Sequence, residues 1–248
     1  MLGTGWAMAQ SVILGDASVE AMILTSASSR TAHTAAFSAK LHAEDGGRRV
    51  ATIGLTSPAN LEMTRELGFY DEVVTYEEVS AMPRRKIAIM SALFSCLAVR
   101  TLLLAERCSG RRDVAGNASV LHSIYSRFGD DVVSCAGVGM THVGARGDGA
   151  SLEGLGGAPP ASFNVFATTE ACNEAYGREE LARLQGAAWA AYKTRMLPSF
   201  KAVRAYGGEE TLGVWDATVR GEAEPGATYV CSLWPEAEAE PRVGGARL

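Results

Sequence analysis

The chain has 248 residues, 47% hydrophobic and 21% charged, with a formal net charge of −5. That is ample for one globular core, and the mild acidity with scattered Lys and Arg excludes a nucleic-acid-binding surface. The five cysteines (Cys96, Cys108, Cys135, Cys172, Cys231) are odd in number and widely spaced, which fits a reducing compartment rather than a disulfide framework.

Met1 to Gln10 lacks the charged start and long apolar centre of a secretion signal, so a soluble cytoplasmic protein is expected. The first strand is predicted at Ala21–Thr25 and a turn at Ser26–Arg30. The helix after it, ending at Leu41, carries Ala32, Ala35, Ala36 and Ala39 toward a sheet. A strand, a small-residue turn and a helix in this order form a phosphate-binding unit. The first helical amides have no internal partners, and the helix dipole places partial positive charge there. Ser26, Ser28, Ser29 and Thr31 add hydroxyl donors and Arg30 a full charge. The glycine positions of the usual dinucleotide fingerprint hold Ser26, Ser29, Arg30 and Ala32, so the loop is tighter than normal or the ligand sits further out. The same serines would also suit a capped, buried helix whose hydroxyls satisfy only its own amides.

A second strand is predicted at Arg49–Ile53, at the spacing a right-handed crossover requires. An NAD enzyme places an acidic residue after this strand to bind the ribose hydroxyls, whereas here the chain reads Gly54, Leu55, Thr56, Ser57, Pro58, Ala59, Asn60. Thr56, Ser57 and Asn60 can donate to a 2′-phosphate, and Arg30 or Arg65 can supply charge, which favours NADP over NAD. An ordinary turn before a helix at Leu61–Leu67 would use the same residues. Further on, Met90–Arg112 is apolar over Leu93–Ala105 but interrupted by Arg100 and too short to span a membrane. Beyond it come a helix at Ala118–Phe128, a strand at Asp131–Ala136 and a Gly-rich turn from Gly137 through Gly139 to His142. Ligands of open α/β sheets bind outside the carboxyl ends of the strands, which brings the VAGN and AGVGMTH segments into one crevice with SASSR.

His142 has the near-neutral intrinsic pKa suited to proton transfer, and Tyr70 and Tyr76 are further candidates for a proton donor. A surface-loop histidine and helix–strand packing are the alternatives. Cys135 with His142 is the nearest approach to a metal-ligand grouping, so no metal is expected. Gly144–Pro160 reads as a mobile loop. A helix follows at Thr168–Tyr176, and a longer one at Glu179–Phe200 has Leu181, Leu184, Ala188, Trp189, Tyr192 and Met196 as its core stripe. Tyr192 directly precedes Lys193, which lacks the Tyr–Lys offset of short-chain dehydrogenases. A Glu- and Gly-rich tail from Pro235 is read as disordered.

Three stretches carry a family resemblance in combination: SASSRTA, GLTSPANLEMTRELGFYDEVVTYEEV and DVAGNASVLHSIYSRFGDDVVSCAGVGMTH. They resemble the nucleotide-binding half of medium-chain dehydrogenase/reductase proteins, in the zinc-free quinone-reductase branch. More closely, they are similar to an uncharacterised domain-of-unknown-function family on that fold. The pattern LG.YDEVV.Y is met by Leu67, Gly68, Tyr70, Asp71, Glu72, Val73, Val74 and Tyr76. The resemblance implies an α/β Rossmann-like, doubly wound, mostly parallel sheet with helices on both faces, spanning residues 21–234. It also implies NADP binding by Ser26, Ser28, Ser29, Arg30, Thr31, Thr56, Ser57, Gly116, Asn117, Gly137 and Gly139. By the same resemblance, Lys86–Ile89 is the fourth strand, Phe163–Phe166 is the next strand or a cofactor-side turn, and Val214–Arg220 and Thr228–Leu233 are the final helix and strand.

Two departures from the family pattern shape the expectations. Residues 1–20 stand where relatives carry a catalytic domain, and residues 90–112 interrupt what should be a continuous strand and turn, KIAI–DVAGN. Translated intron sequence, or a gene-model error, accounts for that insertion; a genuine helical insertion is the alternative, and either threatens the fourth strand. The leading functional expectation is an NADP-dependent oxidoreductase delivering hydride to an activated alkene, quinone or carbonyl. The others are a non-catalytic nucleotide-binding or interaction protein, and an inactive truncated or mis-spliced product. The partner expected is a small molecule, with no nucleic acid and no membrane; a homodimer is an open alternative.

Overall fold

Short runs of aliphatic residues, each bounded by turn formers, build the sheet at the centre of this chain. The computed structural model describes residues 2–92, 112–138, 152–220, 222, 224 and 227–234. Two units, Met1–Thr194 and Arg195–Leu248, divide the chain.

In the first unit, the sheet among the described residues has six parallel strands: β1 (Ala21–Leu24), β2 (Ala51–Thr56), β3 (Glu72–Thr75), β4 (Ile87–Ala92), β5 (Val132–Val138) and β6 (Pro160–Ser162). Their order is β3-β2-β1-β4-β5-β6. The strand sequence therefore reverses between β1 and β4, where a doubly wound sheet opens a crevice at its carboxyl edge. Parallel strands covered on both faces read as continuous apolar runs, and β1 is buried at every position. The short helix α3 (Leu61–Glu66) lies between β2 and β3 in the chain. Ile23, Ile53, Leu55, Ile87 and Ile89 pack in one cluster with Ile124, Tyr125 and Phe128 of α4 (Arg112–Phe128).

The helix α2 (Arg30–Glu44) connects β1 to β2 and buries Ala32, Ala35, Ala36, Phe37 and Ala39. Residues before β1 form α1 (Leu2–Ile13), which lies against α2. The approach is close enough that a Cβ on Gly5 would stand 2.0 Å from Thr34 Oγ1 and 2.8 Å from the Ala35 nitrogen. The carboxyl end of α1 and the turn after it are held by Arg48. Its guanidinium donates to the carbonyls of Val12, Ile13, Asp16, Ala17 and Val19 at 2.6–3.3 Å. The Val12 and Ile13 carbonyls are helix-end acceptors without a partner within the helix, and the other three belong to the turn that follows. Trp6 and Ala7 of α1 cluster with Cys172 of α5 (Val165–Tyr176) and with Leu181 and Ala188 of α6 (Arg178–Ala191). There the Tyr176 hydroxyl donates to Gln10 Oε1 at 2.8 Å.

Several boundaries differ from the sequence reading. β2 runs to Thr56 rather than ending at Ile53, because Gly54 and Thr56 pair in register with Val73 and Thr75 of β3. β4 takes in Met90, Ser91 and Ala92, the first residues of the expected insertion, and stays paired to β1 and β5, so the fourth strand is intact. The helix expected from Ala118 already runs from Arg112, and β5 reaches Val138. The helix expected over Glu179–Phe200 ends at Ala191 and gives way to a π turn at Tyr192–Met196. Trp189, assigned to its core stripe, is 48% exposed and stacks on Tyr192, with Lys193 over its ring. Among the described residues no helix is long and apolar enough to cross a membrane. The tail from Pro235, most of Met90–Arg112 and the first part of Gly144–Pro160 lie outside the described residues.

The second unit contains a single βαβ arrangement among its described residues: β7 (Ala202–Tyr206), α7 (Gly207–Arg220) and β8 (Thr228–Ser232), with β7 and β8 parallel.

Candidate functional site

The turn from β1 into α2 sits beside the point where strand order reverses. Thr25 follows β1, and its hydroxyl donates to Ser91 Oγ of β4 at 3.1 Å, a buried pair that ties the carboxyl ends of the two strands. The Ala27 amide donates to the Leu55 carbonyl of β2 at 2.9 Å, and the Ser29 amide closes the turn on the Ser26 carbonyl at 2.8 Å. Ser29 is the N-cap of α2, its hydroxyl accepting from the Ala32 amide at 3.3 Å. Ser26, Ser28, Ser29 and Arg30 are half-buried at the turn, whereas Thr31 is buried.

Two tyrosines flanking β3 hold this turn. The Tyr70 hydroxyl donates to the Ala27 carbonyl at 2.8 Å and the Tyr76 hydroxyl to the Thr25 carbonyl at 2.9 Å. Enclosure of the Tyr70 hydroxyl pushes its pKa well above the ordinary phenol range. In this arrangement the Tyr70 hydroxyl is committed to the Ala27 carbonyl and holds the loop. Gly54 makes the close approach of turn and strand possible. A Cβ there would meet Ala27 Cβ at 2.7 Å and the Tyr70 ring at 3.0 Å.

Thr56 closes β2 and is only 1% exposed, and its hydroxyl has no hydrogen-bond partner among the described residues. By strand alternation it shares a face with Gly54, the face that meets Ala27. A buried hydroxyl left unpaired costs about 1–3 kcal/mol, a cost that folding alone does not explain. Ser57 and Asn60 bond to each other, Asn60 Nδ2 donating to Ser57 Oγ at 3.1 Å. Arg65 is engaged with Glu62 at 3.0 Å and donates to the Val73 carbonyl at 3.2 Å.

The remaining expected residues are not gathered into this turn. Gly116 and Asn117 lie inside α4 instead of a loop after β4. Gly137 is a ladder residue of β5, opposite Ser91 and Ser162, and its carbonyl accepts from the Phe163 amide at 2.9 Å. Gly139 and His142 fall outside the described residues. Asn164, in the Phe163–Phe166 stretch, caps α5 by accepting from the amides of Phe166 and Ala167. Among the described residues no three His, Cys, Asp or Glu side chains gather as a metal site would require.

Sequence reasoning overlooked His33, in the first turn of α2. Its ring faces Phe69 and Tyr70, with centroids 6.3 and 6.1 Å away. Burial lowers its pKa to about 4, against the opposing pull of the Ala27 backbone and with help from the Arg30 charge. Gly54 and Ser91 were also overlooked. A glycine inside a strand marks close backbone approach, but ending β2 at Ile53 hid that signal.

A model of the family described as "Protein of unknown function (DUF2855)" matches residues 1–224. A comparison with curated proteins returns no match. Among solved structures, CurA from Vibrio vulnificus is similar at 10% identity and a TM-score of 0.54, over 94% of this chain and 62% of that one. CurA in complex with NADPH from the same organism gives 9% identity and a TM-score of 0.52, again over 94% and 62%. A cobalt- and zinc-bound thermostable alcohol dehydrogenase from Pyrobaculum aerophilum gives 13% identity and a TM-score of 0.51, over 92% and 54%. These likenesses show the fold. The chain spans between 54% and 62% of the length of these neighbours.

Proposed function

We propose, since the chain belongs to the DUF2855 family and shares the fold of CurA, which was solved in complex with NADPH, that it is an NADP-dependent oxidoreductase of the quinone, enoyl or carbonyl reductase type. The observation that carries this reading is the β1–α2 turn at the strand-order reversal, with the buried Thr56 hydroxyl, unpartnered among the described residues, at the end of the adjacent strand. The donor set fits a dinucleotide. The first amides of α2, helped by the hydroxyls of Ser26, Ser28 and Ser29 and the charge of Arg30, would hold the diphosphate. Thr56 and Ser57, with no carboxylate between them, would take the ribose end and accommodate a 2′-phosphate. When bound, NADPH supplies a hydride, which suits an activated alkene, quinone or carbonyl. The protein binds and orients; Thr25 and Ser91 hold the floor of the crevice closed between β1 and β4. Cys135, Cys172 and Cys231 are free thiols, which supports a reducing, cytoplasmic setting.

Titration calorimetry with NADPH and NADH tests this directly. Uptake of NADPH in preference to NADH is expected, and absence of uptake of either nucleotide overturns the reading. A second reading, nucleotide binding without chemistry, is favoured by the commitment of the Tyr70 hydroxyl to Ala27. Loss of NADPH absorbance with a panel of quinones, enones and aldehydes separates the two: uptake without turnover selects the second.

A further inference from the structure

Dinucleotide loops use glycine so that the turn can approach its surroundings closely, yet residues 25–30 of this chain contain none. The close approach is present all the same. The Ala27 amide reaches the Leu55 carbonyl, and the glycine that permits it is Gly54, on the neighbouring strand. A methyl on the loop and a hydrogen on the strand replace the usual reverse arrangement. Two hydroxyl donors complete the device. Tyr70 takes the Ala27 carbonyl and Tyr76 the Thr25 carbonyl. In a trans peptide the carbonyl and the following N–H point to opposite sides. Each tyrosine therefore turns one amide, that of Ser28 or Ser26, away from the β3 side of the turn.

We propose that Gly54 and Tyr70, with Tyr76 beside them, are the positioning residues of a glycine-free diphosphate loop: the strand supplies the missing glycine, and the tyrosines preset the loop amides for an anion. The proposal deepens the NADP reading and rests on it for the identity of the anion. The positioning itself can be read without any nucleotide.

The test uses the full chain, with Tyr70→Phe, Gly54→Ala and the double variant Gly54→Ala/Ala27→Gly, each measured by hydrogen exchange without ligand and by NADPH titration. In Tyr70→Phe, which keeps the ring and removes only the donor, exchange of the Ser26–His33 amides rises about tenfold. Exchange of β5 stays unchanged. Gly54→Ala weakens NADPH binding by about tenfold or more, because Ala27 must move. Returning the glycine to the loop in the double variant removes the 2.7 Å clash and leaves only the Tyr70 ring edge to shift, so binding recovers in large part. Unchanged loop exchange in Tyr70→Phe overturns the proposal, as does a double variant no better than Gly54→Ala. If the wild-type chain takes up no NADPH, the functional reading falls, and the exchange arm alone decides the positioning role.

Discussion

His33 offers a quantitative test of the packing around the candidate loop. It is buried to 1% exposure between α2 and the Phe69–Tyr70 segment, and its pKa is lowered to about 4 from an ordinary 6.5. The cause is first desolvation of the imidazolium, then the Arg30 charge, with the Ala27 backbone pulling the other way. Since the folded-state value is the depressed one, the unfolded chain binds this proton at higher pH. Stability is therefore complete above pH 6.5, falls as pH drops, and stops falling on this account near pH 4. At about 1.4 kcal/mol per pKa unit, the loss across that window is about 3 kcal/mol. Urea unfolding of wild type and of His33→Gln at several pH values between 7 and 4 measures it. The variant is less stable at pH 7, and the gap between the two proteins closes by about 3 kcal/mol as pH falls. His42, also lowered chiefly by burial, acts in the same direction in both proteins and cancels in the difference. Asp71, whose lowered pKa lies below 3.8, loses its contribution only under more acidic conditions. A gap that stays constant with pH would falsify the claim that His33 is held neutral by burial.

Three further outcomes are expected. Arg48→Ala removes a donor from two carbonyls at the end of α1 and three in the turn after it, and costs about 2–4 kcal/mol in urea unfolding of the first unit, with amide exchange rising in α1 before the sheet; a loss below about 0.5 kcal/mol refutes the clamp. Thr56→Val removes a buried hydroxyl with no partner among the described residues, so calorimetric unfolding shows a gain of about 1 kcal/mol while NADPH binding weakens. A stability loss in that variant means the hydroxyl has a partner in the folded chain. Gly5→Val forces α1 off Thr34 and Ala35 and lowers stability by about 3 kcal/mol or more, whereas Gly3→Ala, with open space around it, is neutral or slightly stabilising.

Local patterning alone determined a good deal. The apolar run AMIL, the small-residue turn and the serine cap of α2 were all readable in the chain, because burial and capping leave signals within a few residues. Crossover spacing gave the first strand–helix–strand unit, and the family resemblance implied the doubly wound sheet that the strand order bears out. Tertiary structure alone decided where strands end. Gly54, Leu55 and Thr56 read as a turn, but parallel pairing with β1 and β3 satisfies their backbone groups and draws them into the sheet. Met90, Ser91 and Ala92 likewise read as the start of an insertion until β1 and β5 claim them. The same holds for the loop supports. Tyr70 and Tyr76 lie 43 and 51 residues from the carbonyls they hold, and Gly54 accommodates an alanine that no sequence pattern places beside it. Contacts over such separations are set by how the layers stack, and linear spacing carries no record of that.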